Sequence, residues 1–257
     1  MNDPILSAHK LGKNYGGQVG CREVTFELHS GEILGLVGES GSGKTTLLNV
    51  LAGRLVPSSG RVLYRDSHGT EHDMHRLAEA ERRHLLRTEL GFVHQHAYEG
   101  LRLKVSAGAN IGERLMAGGW RSYHQVRSEA AIWLKKVEIP TDRLDDRPEA
   151  YSGGMQQRLQ IARNLVTNPR LVFMDEPTGG LDVSVQARLL DLIRHLVRRL
   201  NLAVILVTHD LAVARLLSQR LMVMKNGQVV ETGLTDQVLD DPQHSYTQLL
   251  VSSMLQV

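Results

Sequence analysis

The stretch that decides the fold is ILGLVGESGSGKTT, residues 33–46. An apolar run comes first, then a glycine-rich segment, then Lys44 at the start of an apolar helical pattern that continues to residue 55. This order predicts a buried strand, a loop and a helix. Glycines let successive backbone N–H groups turn inward around phosphate oxygens, and the amino terminus of the helix adds partial positive charge. The stretch therefore predicts a phosphate-binding loop, in which Lys44 reaches the β- and γ-phosphates and Thr45 ligates Mg²⁺.

Two further apolar runs, residues 171–174 and 203–207, predict strands that are buried on both faces. Between them, leucine and isoleucine recur at spacings of three and four across residues 182–200, which predicts an amphipathic helix capped by Asp182. Buried strands that alternate with helices are typical of a mostly parallel sheet covered by helices. The expected fold class is therefore α/β, with a P-loop NTPase core.

Antiparallel structure is predicted towards both ends of the chain. Residues 22–28 alternate apolar and polar side chains, which is typical of a strand with one buried face. The dipeptide Asn226-Gly227 joins two strand-like runs, residues 221–225 and 228–232, and favours a hairpin. We therefore expect an antiparallel β subdomain beside the parallel sheet.

The middle of the chain has a different character, because it contains helical patterns and no strand-like run. We interpret it as an α-helical lobe inserted into the α/β core of a single domain. The predicted bounds are 1–257 for the domain, 1–104 and 164–257 for the core, and 105–163 for the helical lobe.

Charge and cysteine content exclude several classes of protein. The chain has 257 residues, with 30 Lys and Arg against 28 Asp and Glu, so its formal charge is +2. This balance argues against a protein that coats a polyanion, and we expect no nucleic-acid partner. Cys21 is the only cysteine, which excludes intrachain disulfides and thiolate zinc sites.

No apolar run approaches the roughly 18 residues that span a bilayer, and the first residues lack a signal-peptide pattern. We therefore expect a cytoplasmic protein.

Two carboxylates follow the apolar run at residues 171–174. Ligands of open α/β sheets collect at the carboxyl ends of the strands, so Asp175 is expected to meet the metal held by the phosphate loop. Glu176 points elsewhere and is a candidate to polarise an attacking water. Such a run is weak evidence alone, but it becomes strong when it is paired with a phosphate loop.

A second candidate anion site is Ser152-Gly153-Gly154, which opens a helical pattern that runs to Arg163. A serine cap followed by glycines leaves backbone N–H groups exposed at a helix amino terminus. An ordinary capped helix is the alternative, and only the combination with the other motifs favours a functional site.

In combination, these motifs resemble the ATP-binding-cassette ATPases over the whole chain. Three more segments carry the resemblance: residues 151–155 (YSGGM) are similar to the family's signature sequence, 179–182 (GGLD) to its dimer-contact loop and 208–210 (THD) to its switch histidine. Tyr15 is similar to the aromatic residue that stacks on adenine, and Gln95 to the glutamine between the core and the lobe.

The resemblance implies ATP and Mg²⁺ as cofactors and assigns roles to individual positions. ATP would be bound by Tyr15, Gly38, Ser40, Gly41, Gly43, Lys44, Thr45, Thr46, Ser152, Gly153, Gly154 and Asp182. The catalytic residues would be Glu176, His209 and Gln95, and the Mg²⁺ ligands Thr45, Gln95 and Asp175. It also implies a head-to-tail dimer, in which Ser152 and Gly154 of one copy close on the γ-phosphate held by Lys44 of the other. His209 would contact that phosphate and hold the water beside Glu176.

Departures from the usual family pattern bear on the partner. Met155 replaces the usual glutamine of the signature, and Gly179-Gly180 stands where Ser-Ala is more typical. Residues 94–102 (HQHAYEGLR) lack the Asn-Pro-rich segment of peptide importers and resemble cassette subunits of phosphonate carbon–phosphorus lyase systems. The implied partner is then a soluble enzyme core. Residues 241–250 instead resemble the tail of importer cassettes, which leaves membrane permease subunits for peptide, nickel or phosphonate as the alternative. A nucleotide-gated scaffold with little turnover is a third possibility.

Overall fold

The computed structural model describes residues 3–254 of the chain. They form two compact units, one of residues up to Arg82 together with those from Asn201 onward, the other of Arg83–Leu200. Two short 3-10 helices, Thr141–Asp145 and Pro148–Ala150, lie in the second unit. The strands are β1 (Leu6–Tyr15), β2 (Gln18–Leu28), β3 (Ile33–Val37), β4 (Ser59–Arg65), β5 (Glu71–Asp73), β6 (Leu90–Val93), β7 (Leu171–Asp175), β8 (Ala203–Val207), β9 (Arg220–Lys225) and β10 (Gln228–Leu234). The α-helices are α1 (Lys44–Leu51), α2 (Glu79–Thr88), α3 (Ala97–Gly100), α4 (Ala107–Ala117), α5 (Tyr123–Lys136), α6 (Gly153–Leu165), α7 (Val183–Leu200), α8 (Leu211–Leu217), α9 (Thr235–Asp240) and α10 (Ser245–Met254).

The first unit contains the predicted antiparallel subdomain, a four-stranded sheet in the order β2-β1-β4-β5. The alternating segment predicted from residue 22 begins earlier, at Gln18, because Gly16 and Gly17 turn the chain with φ of 58° and 120°. Tyr15 then pairs with Gln18 across the hairpin. Cys21, on β2, is buried.

Parallel strands form the other sheet structure of the first unit. β3 lies between β8 and β9 and is parallel to both. All five residues of β3 and all five of β8 are buried, which confirms that both are covered on their two faces. β10 returns antiparallel to β9 through Asn226 and Gly227, whose φ angles of 49° and 78° fit the predicted hairpin.

Helix α1 is shorter than the apolar pattern suggests. The pattern continues to residue 55, whereas the helix ends at Leu51. Gly53 follows in the left-handed region with φ of 68°, a conformation that ends helices because it costs glycine little. The chain then leaves the helix towards β4.

The second unit pairs β6 with β7 in parallel and carries the predicted helical stretch. Among the described residues, α4, α5 and α6 follow one another with no strand between them. Trp133 of α5 is fully buried, so it belongs to the packed interior of this lobe. α7 begins directly after Asp182 and buries Leu189, Ile193 and Leu196, the stripe that its spacing predicts. Within residues 3–254, no helix is both long and apolar enough to cross a membrane.

Candidate functional site

The glycine-rich loop joins β3 to α1 in the first unit, as predicted. Its lysine is 6% exposed and turns back over the loop. The ammonium Nζ of Lys44 donates to the carbonyl oxygens of Gly38 and Glu39 at 2.7 and 2.8 Å, and to Oγ of Ser42 at 3.4 Å. These three hydrogen bonds hold the loop around the Lys44 ammonium group. α1 has no acidic residue in its first turn, so no carboxylate there repels a bound anion.

Three glycines of the loop have positive φ, but for different steric reasons. A Cβ on Gly38 would lie 2.2 Å from the carbonyl oxygen of Met224, and one on Gly43 would lie 2.1 Å from that of Gly20. Gly41, with φ of 79°, has nothing within 4 Å of the same position. The loop is therefore packed against backbone on one side and open at Gly41. A glycine-rich loop that is open at Gly41 and holds a lysine ammonium group suits phosphate oxygens.

Gly20 is part of this arrangement, although it was not among the predicted site residues. A Cβ on Gly20 would lie 2.7 Å from Cγ2 of Thr46 and 2.9 Å from Cε2 of Tyr15. Tyr15 therefore lies beside the start of α1, with half of its surface exposed and Nζ of Lys13 5.3 Å from its ring centroid. An exposed ring next to a phosphate loop can stack on a planar base. A single glycine just before the alternating residues 22–28 was the only sequence signal for this close contact between Gly20, Tyr15 and Thr46.

His209 lies on the turn between β8 and α8. Oδ1 of Asp210 accepts N–H bonds from Ala212 and Val213 at 2.8 and 3.2 Å, which caps α8. Oγ1 of Thr208 accepts the N–H of Asp210 at 3.0 Å and fixes the turn from the other side. His209 is thus presented as an exposed side chain on a rigid turn. Its role towards phosphate stays a prediction.

The carboxylate cluster of the second unit lies at the carboxyl end of β7. Nε2 of Gln95 donates to Oε2 of Glu176 at 3.1 Å, so two predicted catalytic residues 81 positions apart are in contact. Glu176 has φ of 43°, a left-handed conformation that costs a non-glycine residue free energy and recurs at functional sites. Asp175, one residue earlier, is the last residue of β7 and is partly exposed.

The glycine pair after this cluster now has a structural reason. A Cβ on Gly179 would lie 3.2 Å from Nε2 of Gln95 and 3.3 Å from the carbonyl oxygen of Glu176. Gly180 has φ of 73°, which favours glycine. The pair therefore lets the chain turn close to the Gln95–Glu176 contact. Asp182 follows as an exposed residue at the start of α7.

The serine–glycine segment forms the helix start that was predicted. Oγ of Ser152 caps α6 by accepting the N–H of Met155 at 3.4 Å. Ser152 and Gly153 are exposed, whereas a Cβ on Gly154 would lie 2.4 Å from Cγ1 of Val185 on α7. This helix start is consequently open to solvent at its first residues and tightly packed at Gly154.

Two buried glutamines of α6 support Gln95, and they were missed by the sequence analysis. Oε1 of Gln160 accepts the N–H of His94 at 2.5 Å. Nε2 of Gln157 and Nε2 of Gln160 both donate to the carbonyl oxygen of His94, at 3.0 and 3.2 Å. Both main-chain groups of the residue before Gln95 are therefore held by side chains. Amide side chains at spacings of three and four, Gln157, Gln160 and Asn164, were the available signal.

Comparison with known proteins agrees with this geometry. The family model described as ABC transporter matches residues 21–179. The phosphonates utilization ATP-binding protein PhnK of Escherichia coli (strain K12) is 64% identical over 256 residues, which cover 100% of each chain. The oligopeptide transport ATP-binding protein OppD of Bacillus subtilis (strain 168) is 37% identical, over 94% of this chain and 68% of that protein. Among solved structures, a dimeric post-hydrolysis state of the ATP-binding cassette MJ0796, bound to ADP and Pi, has a TM-score of 0.79 at 28% identity, over 90% of this chain and 98% of that chain.

The matched range contains the phosphate loop, the strand that ends in Asp175 and the serine–glycine helix start. The remaining motifs lie within the full-length similarity to the Escherichia coli relative. The chain therefore belongs to the ABC transporter family and is one of its ATP-hydrolysing cassettes.

Proposed function

We propose that this chain is the ATPase cassette of a carbon–phosphorus lyase complex for phosphonate breakdown, and that it closes and opens as a dimer to remodel the enzyme core. The observation that carries the proposal is the full-length similarity to a relative named for phosphonates utilization, which is well above the similarity to the oligopeptide relative. The proposal places the chain in the cytoplasm, with no nucleic-acid partner.

The proposed chemistry assigns one task to each side chain. Lys44, held in place by the Gly38 carbonyl, directs its remaining N–H groups to the β- and γ-phosphate oxygens. Glu176 accepts the proton of the attacking water while Gln95 holds its Oε2. His209 contacts the γ-phosphate, and Tyr15 stacks on adenine. These roles follow the family resemblance, and the geometry of each half of the site is compatible with them.

The residues proposed for Mg²⁺ provide suitable ligand atoms. Thr45 offers a hydroxyl, Gln95 an amide carbonyl and Asp175 a carboxylate, all hard oxygen donors of the kind this ion takes. Thr45 is exposed at the first turn of α1, and Asp175 is partly exposed at the end of β7. Mg²⁺ would neutralise phosphate charge there.

A second cassette completes the proposed site. Ser152, Gly153, Gly154 and Asp182 of that cassette would close on the γ-phosphate bound by Lys44. Three of these residues, Ser152, Gly153 and Asp182, are exposed in the single chain, which leaves them available to such a partner. The dimeric state of the MJ0796 cassette supports this arrangement, whether the second copy is identical or a related cassette.

The segment after Gln95 is the proposed contact with the enzyme core. The rings of His96 and Tyr98 stack in parallel, with centroids 5.3 Å apart and planes 6° apart. Tyr98 is 57% exposed, and Arg102 is exposed beyond it. A preformed aromatic pair flanked by a cation can bind a protein surface with little loss of side-chain entropy.

The alternative is an importer cassette that docks on membrane permease subunits for oligopeptide, nickel or phosphonate. The identity to the oligopeptide transport relative favours it. Affinity purification of the tagged chain from its native host under phosphate limitation, followed by mass spectrometry, separates the two. Co-purification of the soluble subunits that cleave the carbon–phosphorus bond would support the lyase proposal, and co-purification of integral membrane subunits would overturn it.

A further inference from the structure

One peptide unit of the phosphate loop is held from both ends. The carbonyl oxygen of Gly38 accepts a hydrogen bond from Nζ of Lys44 at 2.7 Å. The N–H of Glu39, on the same peptide plane, donates to the phenolic oxygen of Tyr246 at 3.0 Å. Tyr246 lies 207 residues further along the chain, on α10. The plane that holds the lysine is therefore fixed by the carboxy-terminal segment.

The ring of Tyr246 is immobilised by its surroundings. The residue is 4% exposed and packs in an apolar cluster with Val37, Val223 and Leu239. Nζ of Lys225 lies 4.6 Å from the ring centroid, within cation–π range. Val37 directly precedes the phosphate loop, so the Tyr246 ring packs in the same apolar cluster as the residue from which the loop begins. The phenolic oxygen consequently has a defined position towards Glu39.

A second set of contacts anchors the segment that carries Tyr246. The carboxylate of Glu231, on β10, accepts the N–H of Gln243 at 2.8 Å and that of His244 at 3.0 Å. Nδ1 of His244 in turn accepts the N–H of Tyr246 at 3.1 Å. β10 therefore determines where α10 begins and where the tyrosine stands.

We propose that Tyr246 is a positioning residue for ATP binding, which acts by orienting the Gly38–Glu39 peptide and through it the ammonium of Lys44. Glycine at position 38 makes this necessary, because a peptide next to glycine rotates easily unless both its polar groups are bonded. Without the hydroxyl, the N–H of Glu39 loses its protein acceptor and the Gly38 carbonyl is free to turn away from Lys44. The inference rests on ATP binding alone and is independent of which partner the cassette serves.

The test is the Tyr246→Phe variant, which keeps the ring and removes only the hydroxyl. We expect its Kd for ATP to rise roughly 3- to 10-fold, the effect of one lost hydrogen bond. Affinity for AMP, measured by competition, should not change, because Lys44 acts on the β- and γ-phosphates that AMP lacks. Tyr64→Phe is the matched control, since Tyr64 is another buried tyrosine of the first unit but lies on β4. It should leave both affinities unchanged.

The dependence on Lys44 separates positioning from a general structural role. In a Lys44→Ala background, Tyr246→Phe should cost no further ATP affinity, because the group it orients is gone. Melting temperatures check that all variants fold. An unchanged Kd for ATP in Tyr246→Phe would overturn the proposal. An equal loss for ATP and AMP, or an undiminished loss in the Lys44→Ala background, would overturn it as well.

Discussion

The phosphate loop, residues 38–46, and the segment at residues 94–102 both follow a strand of parallel sheet and run into a helix, yet they differ in how far the chain itself completes them. Lys44 of the loop is 6% exposed and bonded to the carbonyls around it. Tyr98 of the other segment is 57% exposed, with the ring of His96 stacked against it. The phosphate loop is held by hydrogen bonds within the chain, whereas the second segment exposes its aromatic pair to solvent.

The proposed function accounts for this difference, because it assigns phosphate to the loop and a protein partner to the exposed segment. Phosphate has the same shape and charge in every nucleotide, so a few glycines and one lysine, fixed by neighbouring backbone, suffice to bind it. A protein partner has a surface of its own, and affinity for it depends on a small number of exposed anchors. Gln95 connects the exposed segment to the candidate catalytic residues, because it lies within that segment and donates a hydrogen bond to Glu176.

The largest expected effect is at Glu176, the residue that Gln95 contacts. In Glu176→Gln, the candidate base is lost while the shape of the side chain is kept, so kcat for ATP hydrolysis should fall about 10²- to 10⁴-fold. ATP binding should persist, and the variant should accumulate as an ATP-bound dimer. Phosphate release and size-exclusion chromatography with ATP measure the two effects. Glu129→Gln on α5 is the control and should hydrolyse ATP normally. Equal phosphate release by wild type and Glu176→Gln would contradict the assignment.

The second prediction compares two glycines within the phosphate loop. Gly38→Ala should lower the free energy of unfolding by about 3 kcal/mol, because it adds strain at φ of 145° and overlap with the carbonyl of Met224. Gly41→Ala should cost only about 1 kcal/mol, since open space surrounds that position and only the positive φ penalises alanine. Urea denaturation without nucleotide measures both. Similar losses at the two positions would mean that backbone packing does not complete the loop.

Elements defined by local signals were predicted well from the sequence. The apolar run before the glycines forms β3, β8 has the predicted bounds, and Asn226-Gly227 turns a hairpin. In each case the decisive residues are neighbours in the chain, so apolar runs and turn chemistry suffice to identify them. The helix after the phosphate loop was predicted too long, because apolar spacing does not register the left-handed turn at Gly53.

Contacts between distant residues were not predictable in the same way. The Gln95–Glu176 pair was assigned to one site only through the family resemblance, since its members are 81 positions apart. The α6 glutamines and Tyr246 were missed because each bonds a main-chain group of another element. Gly20 was missed because it acts by leaving room for side chains of other elements. Composition and periodicity carry no information on which backbone N–H or carbonyl a distant side chain will meet.

A third prediction tests the exposed region. Replacing His96 and Tyr98 together by alanine removes the stacked pair, and affinity for the partner complex should fall roughly tenfold, the effect of losing a modest hot spot. ATP affinity and hydrolysis by the isolated cassette should be unchanged. Tyr123→Ala is the matched control, because Tyr123 is a 69% exposed tyrosine of the same unit, on α5. Loss of ATP binding together with unchanged docking would contradict the proposal that His96 and Tyr98 contact the partner.

The smallest expected effect concerns how the carboxy-terminal segment supports the phosphate-loop unit. Partial burial acts to raise the pKa of Glu231, but hydrogen bonds, among them those from the N–H groups of Gln243 and His244, hold the pKa below the ordinary value of 4.5. A carboxylate with a lowered folded-state pKa stabilises the fold above its unfolded pKa, and this contribution disappears as the pH falls through the folded value.

Wild type should therefore melt above Glu231→Gln by roughly 2–4 °C at pH 6, the shift that about 1 kcal/mol produces in a chain of this size. The gap should narrow as the pH is lowered from 5 towards 3.5, because protonation removes from the wild type the charge that the variant lacks at every pH. Differential scanning calorimetry across this range measures the gap. Glu81→Gln, at an exposed position of α2, should show none. A gap that stays constant with pH would mean that the ionised carboxylate does not anchor the segment, and that apolar packing around Tyr246 alone holds α10 against the phosphate-loop unit.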